Sequence, residues 1–167
     1  DVCSSDTKYV IYGALSSGLM IYGISILYGL TGTLGFAEVN AALPGVIERG
    51  TTSSVALVLA GMLIVVGLGY KISAVPFHFW APDVYEGAPI TITAFLSVAS
   101  KAGGFALMIR FFKVTFIDTS ALASVPGVWA VLPGFDWREV VAVLSVLTMT
   151  VGNLVAIWQN NLQRMLA

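Results

Sequence analysis

Charge is what this sequence has least of. Only 10% of its 167 residues are Asp, Glu, Lys or Arg, and the formal net charge is −1. Soluble domains carry about 25% charged residues, so this chain cannot clothe itself in a water-facing surface. The small net charge also lacks the basic footprint that a nucleic-acid partner requires. A single cysteine, Cys3, excludes a disulfide framework and a thiolate metal cluster. A single histidine, His78, excludes a paired-histidine metal site. No Gly-x-Gly-x-x-Gly follows a strand-like run, and no Walker loop is present. No cofactor and no metal is therefore expected to be held by this chain.

What fills the sequence is apolar: 57% is hydrophobic and the mean hydropathy is +0.90. Four long runs follow one another. The first extends from about Tyr9 to Phe36 and is uncharged from Tyr9 to Ala37; roughly 20 such residues suffice to cross a bilayer. A loop is expected from Glu38 to about Thr52, where Pro44, Gly45 and Gly50 fall among the charges Glu38, Glu48 and Arg49. The second run is Thr51–Pro82 and the third about Ala88–Phe112, with Pro89 in its first turn, where proline is tolerated. Arg110 and Lys113 read as anchors that snorkel to the headgroups. A longer connection, about Val114 to Trp137, holds Pro126, Gly127, Pro133 and Gly134 and reads as a segment along the interface. The fourth run, about Arg138–Trp158, carries a polar stripe of Thr148, Thr150 and Asn153, the kind of residue that joins membrane helices. Leu162 onward reads as the start of another helix. The fold class expected is all-α: a polytopic transmembrane helical bundle of about four membrane segments with one broken helix. Residues 1–6, DVCSSD, read as the translated tail of a common sequencing adapter, against the alternative of an ordinary polar N-terminus, and are expected to be a non-native leader.

The broken helix is expected in the second run. Its 32 residues, Thr51 to Pro82, would measure about 48 Å as a straight helix, against a hydrocarbon core of about 30 Å. Pro76 is the natural break, since it has no N–H and its ring clashes with the carbonyl of Ile72. Lys71 is the only full charge from Thr51 to Pro82, and Lys101 the only one from Gly87 to Ile109. An ammonium in mid-membrane costs roughly 2.5–3.5 kcal/mol on insertion scales, so both lysines are expected to face the bundle interior. For Lys71 the plain alternative is a helix-end lysine reaching the headgroups; eleven mostly apolar residues before Asp83 argue against it. For Lys101 the alternative is a structural ion pair. Ser97, Ser100, Gly103 and Gly104 beside it would admit water or a close neighbour. His78 reads equally as a proton relay, with an ordinary pKa of about 6.5, or as a neutral packing residue. Trp80, Asp83, Tyr85 and Glu86 read as the interfacial end of the broken helix.

These residues carry a resemblance. KISAVPFHFWAPDVYEGAP is similar to the signature of the subunit N family of respiratory complex I, the proton-translocating NADH:quinone oxidoreductase. GALSSGLMIYGISILYGLTGT, SVASKAGGFALMIRFF and LTMTVGNLVAIWQNNLQRMLA resemble the same family, and the likeness covers nearly all of Lys8–Ala167. The sister antiporter-like subunits have a leucine-proline-leucine break, so DVYEGAP points to subunit N. The resemblance implies that residues 7–167 are a fragment of an antiporter-like proton-translocating domain. It implies that Lys71, before the helix break at Pro76, and Lys101, in the next helix, belong to a proton channel. The glutamate and the later ionisable residue of that channel do not lie within this chain. NADH and quinone would be used by the whole complex, and the partners would be its other membrane-arm subunits and the lipid bilayer. The setting would be a bacterial inner (plasma) membrane or an organellar one. Two other functions compete: a cation/proton antiporter subunit of the related exchanger family, and a structural membrane subunit whose lysines are merely paired. Lys8 and Arg164 stand against Arg49, Arg110, Lys113 and Arg138, which nominally makes the second group cytoplasmic; the resemblance implies the opposite orientation.

Overall fold

The computed structural model describes residues 2–117 and 136–165, with side chains from residue 7 onward. The charge-free first run forms α1, Val2–Thr31. It stops where Gly32 adopts φ +76°, a conformation that costs glycine little, and the Gly32 N–H closes the last turn on Tyr28. The second run forms α3, Thr51–Ile72. Among the described residues four helices are long and apolar enough to cross a membrane: Thr7–Thr31, Thr51–Ile72, Ile90–Thr115 and Trp137–Ile157.

Helix α1 lies along α3. Their approach is close because Gly23 presents no side chain: a Cβ there would sit 2.8 Å from the Ala60 carbonyl oxygen and 2.9 Å from Leu63 Cβ. The third span has three parts. α5 (Ile90–Phe95) follows Pro89, a wide π-turn takes up Leu96–Ser100, and α6 (Lys101–Thr115) completes it. The fourth span is α7, Trp137–Ile157. Asp136 caps it, accepting from the Arg138 backbone N–H at 3.0 Å. The Arg138 side chain bonds the same carboxyl, which it holds below the usual carboxylate range. Trp137 stacks on Phe112 with ring centroids 5.2 Å apart, which docks α7 on α6. A short α8, Leu162–Met165, follows.

Where a loop was expected from Glu38 to Thr52 there is a helix, α2, Phe36–Glu48. Val39, Asn40, Leu43 and Val46 recur three or four apart and are buried, so the segment is amphipathic. Pro44 sits inside it on the exposed side, which is why it does not stop the helix from packing. Asn40 Nδ2 donates to the carbonyls of Thr115 (2.8 Å) and Ile117 (2.7 Å), tying α2 to the end of α6. Most of the long connection expected from Val114 to Trp137 lies outside the described residues. The main core sits between α1, α2, α3 and α6 and includes Leu27, Leu43, Leu57, Phe111, Phe112 and Phe116.

Candidate functional site: a helix break facing a second lysine helix

The expected break is present. α3 ends at Ile72, and Ser73 turns into the left-handed region at φ 57°, ψ 38°. The Val75–Pro76 peptide is cis. Helix resumes as α4, Trp80–Gly87. A second apolar cluster holds the two halves together, built from Tyr70, Trp80, Ala81, Val84 and Tyr85 with Tyr9 against it. Trp80 Nε1 donates to the Tyr70 carbonyl at 3.1 Å, and the Tyr70 hydroxyl donates to the Tyr9 carbonyl at 2.9 Å. Trp80 and Tyr85 are 4% and 1% exposed, so they are not the interfacial belt expected of them. They are the packing between the halves of the broken helix. Asp83 and Glu86, by contrast, do reach a polar end. Asp83 pairs with Lys8 (2.5 Å) and Arg164 (3.0 Å), and Glu86 with Arg164 (2.8 Å).

The break brings sequence-distant residues together. Ser73, Val75, His78, Lys101, Thr148 and Arg164 all line one cavity of about 310 Å³. Ser73 Oγ and His78 Nδ1 are buried there without a hydrogen-bond partner among the described residues. The Lys101 ammonium stands 5.3 Å from the centroid of the Tyr85 ring. A Cβ on Gly104 would lie 2.7 Å from Ile72 Cγ2 and 3.5 Å from Lys71 Cγ, so the Lys71 stem rests on α6 one turn past Lys101. Among the described residues no charged side chain is buried: Lys71 is exposed and Lys101 half-buried. The enclosed lysines expected from the cost of a membrane charge are thus not a property of this segment by itself.

Two parts of the site escaped the sequence. The π-turn at Leu96–Ser100 delivers Lys101 directly after it; such turns often mark functional positions, but nothing in LSVAS signals one. Thr148 was legible only as part of a polar stripe, yet its hydroxyl accepts the Val75 N–H at 3.1 Å. Among the described residues no three His, Cys, Asp or Glu side chains gather as metal ligands.

These features define a polytopic α-helical membrane protein whose polar site is built on a discontinuous helix. The chain belongs to the NADH:quinone oxidoreductase/Mrp antiporter transmembrane family, whose model matches residues 3–167. It is 53% identical over 160 residues to NADH-quinone oxidoreductase subunit N 2 of Chloroherpeton thalassium, covering 96% of this chain and 29% of that one. It is 50% identical over 165 residues to NADH-quinone oxidoreductase subunit N of Anaeromyxobacter sp., covering 96% and 31%. The chain thus spans about 30% of the length of these relatives. Among solved structures it is similar to a chain of respiratory complex I from Thermus thermophilus, at 32% identity and TM-score 0.69, over 98% of this chain and 30% of that one. It is also similar to a chain of the membrane-bound sulfane sulfur reductase, an archaeal respiratory membrane complex, at 26% identity and TM-score 0.73, over the same shares.

Proposed function

We propose that this chain is part of a subunit N of respiratory complex I and carries protons through the membrane arm by way of Lys71 and Lys101. NADH and quinone are used by the whole complex, and the chain itself supplies no redox group. Its partners are the other membrane-arm subunits and the bilayer lipid.

One observation supports this reading most. The helix break and the second lysine helix share a cavity lined by His78 and Lys101, while the Lys71 stem rests on Gly104 just beyond. A lysine suits the task because its protonation responds to surroundings: desolvation favours the neutral amine and a nearby carboxylate favours the ammonium. Moving a carboxylate's influence therefore makes Lys71 hold or release a proton. Lys101 is the next station, reached through His78, whose two ring nitrogens can take a proton at one and give it up at the other.

In the intact complex, Lys71→Ala should abolish most proton pumping and slow the coupled quinone reduction, with assembly kept. Lys71→Arg should not restore it, because arginine stays protonated in proteins. Proton uptake and NADH oxidation in inverted membrane vesicles measure both. A fully assembled Lys71→Arg complex pumping at the parent rate would make Lys71 a fixed charge and end this reading. The family description also embraces Mrp antiporters; cation flux in vesicles without NADH would favour that function instead.

A further inference from the structure

From Ser73 to Phe77 the backbone of the break supplies most of its own hydrogen-bond partners. Ser73 N–H donates to the Tyr70 carbonyl at 3.1 Å, Ala74 N–H to Gly69 at 2.8 Å, and Phe77 N–H to Ala74 at 2.6 Å. Pro76 has no N–H to place. Between Ser73 and Phe77 one donor remains, the Val75 N–H, and it is taken by a side chain 73 residues away: Thr148 Oγ1 on α7, at 3.1 Å. The Thr148 hydroxyl proton is committed elsewhere, to the Leu144 carbonyl at 2.6 Å. Its lone pair is therefore aimed at the break, and the hydroxyl cannot turn round to donate without giving up that bond.

Val75 and Thr148 both line the cavity that holds His78 and Lys101. The bond therefore fixes one wall of that cavity from a span that brings no charge of its own to it. We propose that Thr148 is a positioning residue for proton transfer: by accepting the Val75 N–H it sets where the segment Ser73–His78 stands relative to Lys101. The polar stripe on α7 then has a divided use. Thr148 reaches the break, whereas Thr150 and Asn153 are exposed. This proposal rests on the proton-translocating function above.

The test compares Thr148→Val and Thr148→Ser in the intact complex, with Lys71→Ala run beside them. Valine keeps the shape and removes the acceptor, leaving a membrane-depth N–H unbonded. Serine keeps the acceptor and removes only the methyl. Thr148→Ser should pump within about twofold of the parent with the parent's pH profile. Thr148→Val should pump about tenfold less, the order expected when a buried donor is left unsatisfied, and its pH profile should move. A purely structural threonine would change assembly or thermal stability and leave the pH profile of the assembled enzyme where it was. If Thr148→Val fails to assemble, Thr148→Cys replaces it; its weakly accepting thiol should give an intermediate loss with a displaced profile. An assembled valine or cysteine variant with the parent's pumping and pH profile overturns the proposal. So do serine and valine variants impaired alike, since packing would then be the cause. If those results appear while Lys71→Ala has lost pumping, the role of Thr148 falls alone. If Lys71→Ala pumps normally, the function beneath it falls as well.

Discussion

Lys71 and Lys101 look alike in the sequence, each a lone cation in an apolar run, but they meet different neighbours. The Lys101 ammonium faces the Tyr85 ring at 5.3 Å, and Tyr85 is fixed by its burial between the halves of the broken helix. A cation over an aromatic face gains about 0.5–2 kcal/mol. That attraction holds the ammonium in place. Tyr85→Phe keeps the face and should keep coupled turnover near the parent rate. Tyr85→Leu removes it and should lower turnover roughly two- to thirtyfold, the range those energies convert to; steady-state NADH:quinone kinetics with proton uptake distinguishes the two. Lys71 instead lays its stem on Gly104. Gly104→Val would have to displace Ile72, whose Cγ2 lies 2.7 Å from the position of the valine Cβ. It should cost about 1–3 kcal/mol of stability, as overpacking does, read as a lowered thermal midpoint of the purified complex.

At the scale of elements, what the sequence made legible followed from simple counting. Spans showed as charge-free runs because membrane burial tolerates few charges. The break between Lys71 and Phe77 showed because the run was too long for the bilayer and held Pro76. Helix α2 did not show, because Pro44 and Gly45 are the ordinary signs of a loop. What overrides them is burial of Val39, Leu43 and Val46 on one side and Asn40 bonding two carbonyls at the far end of α6. Asn40→Leu keeps the volume but leaves both carbonyls unpaired. It should cost about 1–3 kcal/mol each way the groups are desolvated, seen as faster proteolysis around residues 36–48. Trp80 and Tyr85 were misplaced for a related reason: aromatics beside acids read as an interface, and only the packed structure shows them turned inward. The Thr148–Val75 bond joins residues 73 apart, a pairing no local pattern announces.

At the scale of the molecule, polar and apolar surfaces are separated. Lys8, Asp83, Glu86 and Arg164 gather from α1, α4 and α8 at one end. Elsewhere large apolar side chains stand open, among them Ile21 and Tyr22 on α1, Phe95 and Val98 in the third span, and Val146 and Met149 on α7. Open apolar area of this kind is covered by lipid or by further protein. The charged cluster is half open to solvent, and exposed ion pairs contribute about 0–1 kcal/mol each. Asp83→Asn removes two pairs and leaves Arg164 with Glu86. It should lower the thermal midpoint only slightly, and the difference should shrink as salt rises above about 0.15 M, where the Debye length is about 8 Å.

The wide turn at Leu96–Ser100 converts a residue count into an angle. An α-helix advances about 100° per residue, and the π-turn absorbs one residue without passing that rotation on. The direction of Lys101 about the helix axis is therefore that of a chain one residue shorter. Deleting Val98 should close the turn into regular helix while α5 and α6 keep their facing sides. Inserting a second residue there should rotate them about 100° against one another and carry Lys101 off the azimuth it shares with His78. In this span, length is geometry: one residue lost is absorbed and one residue gained is not.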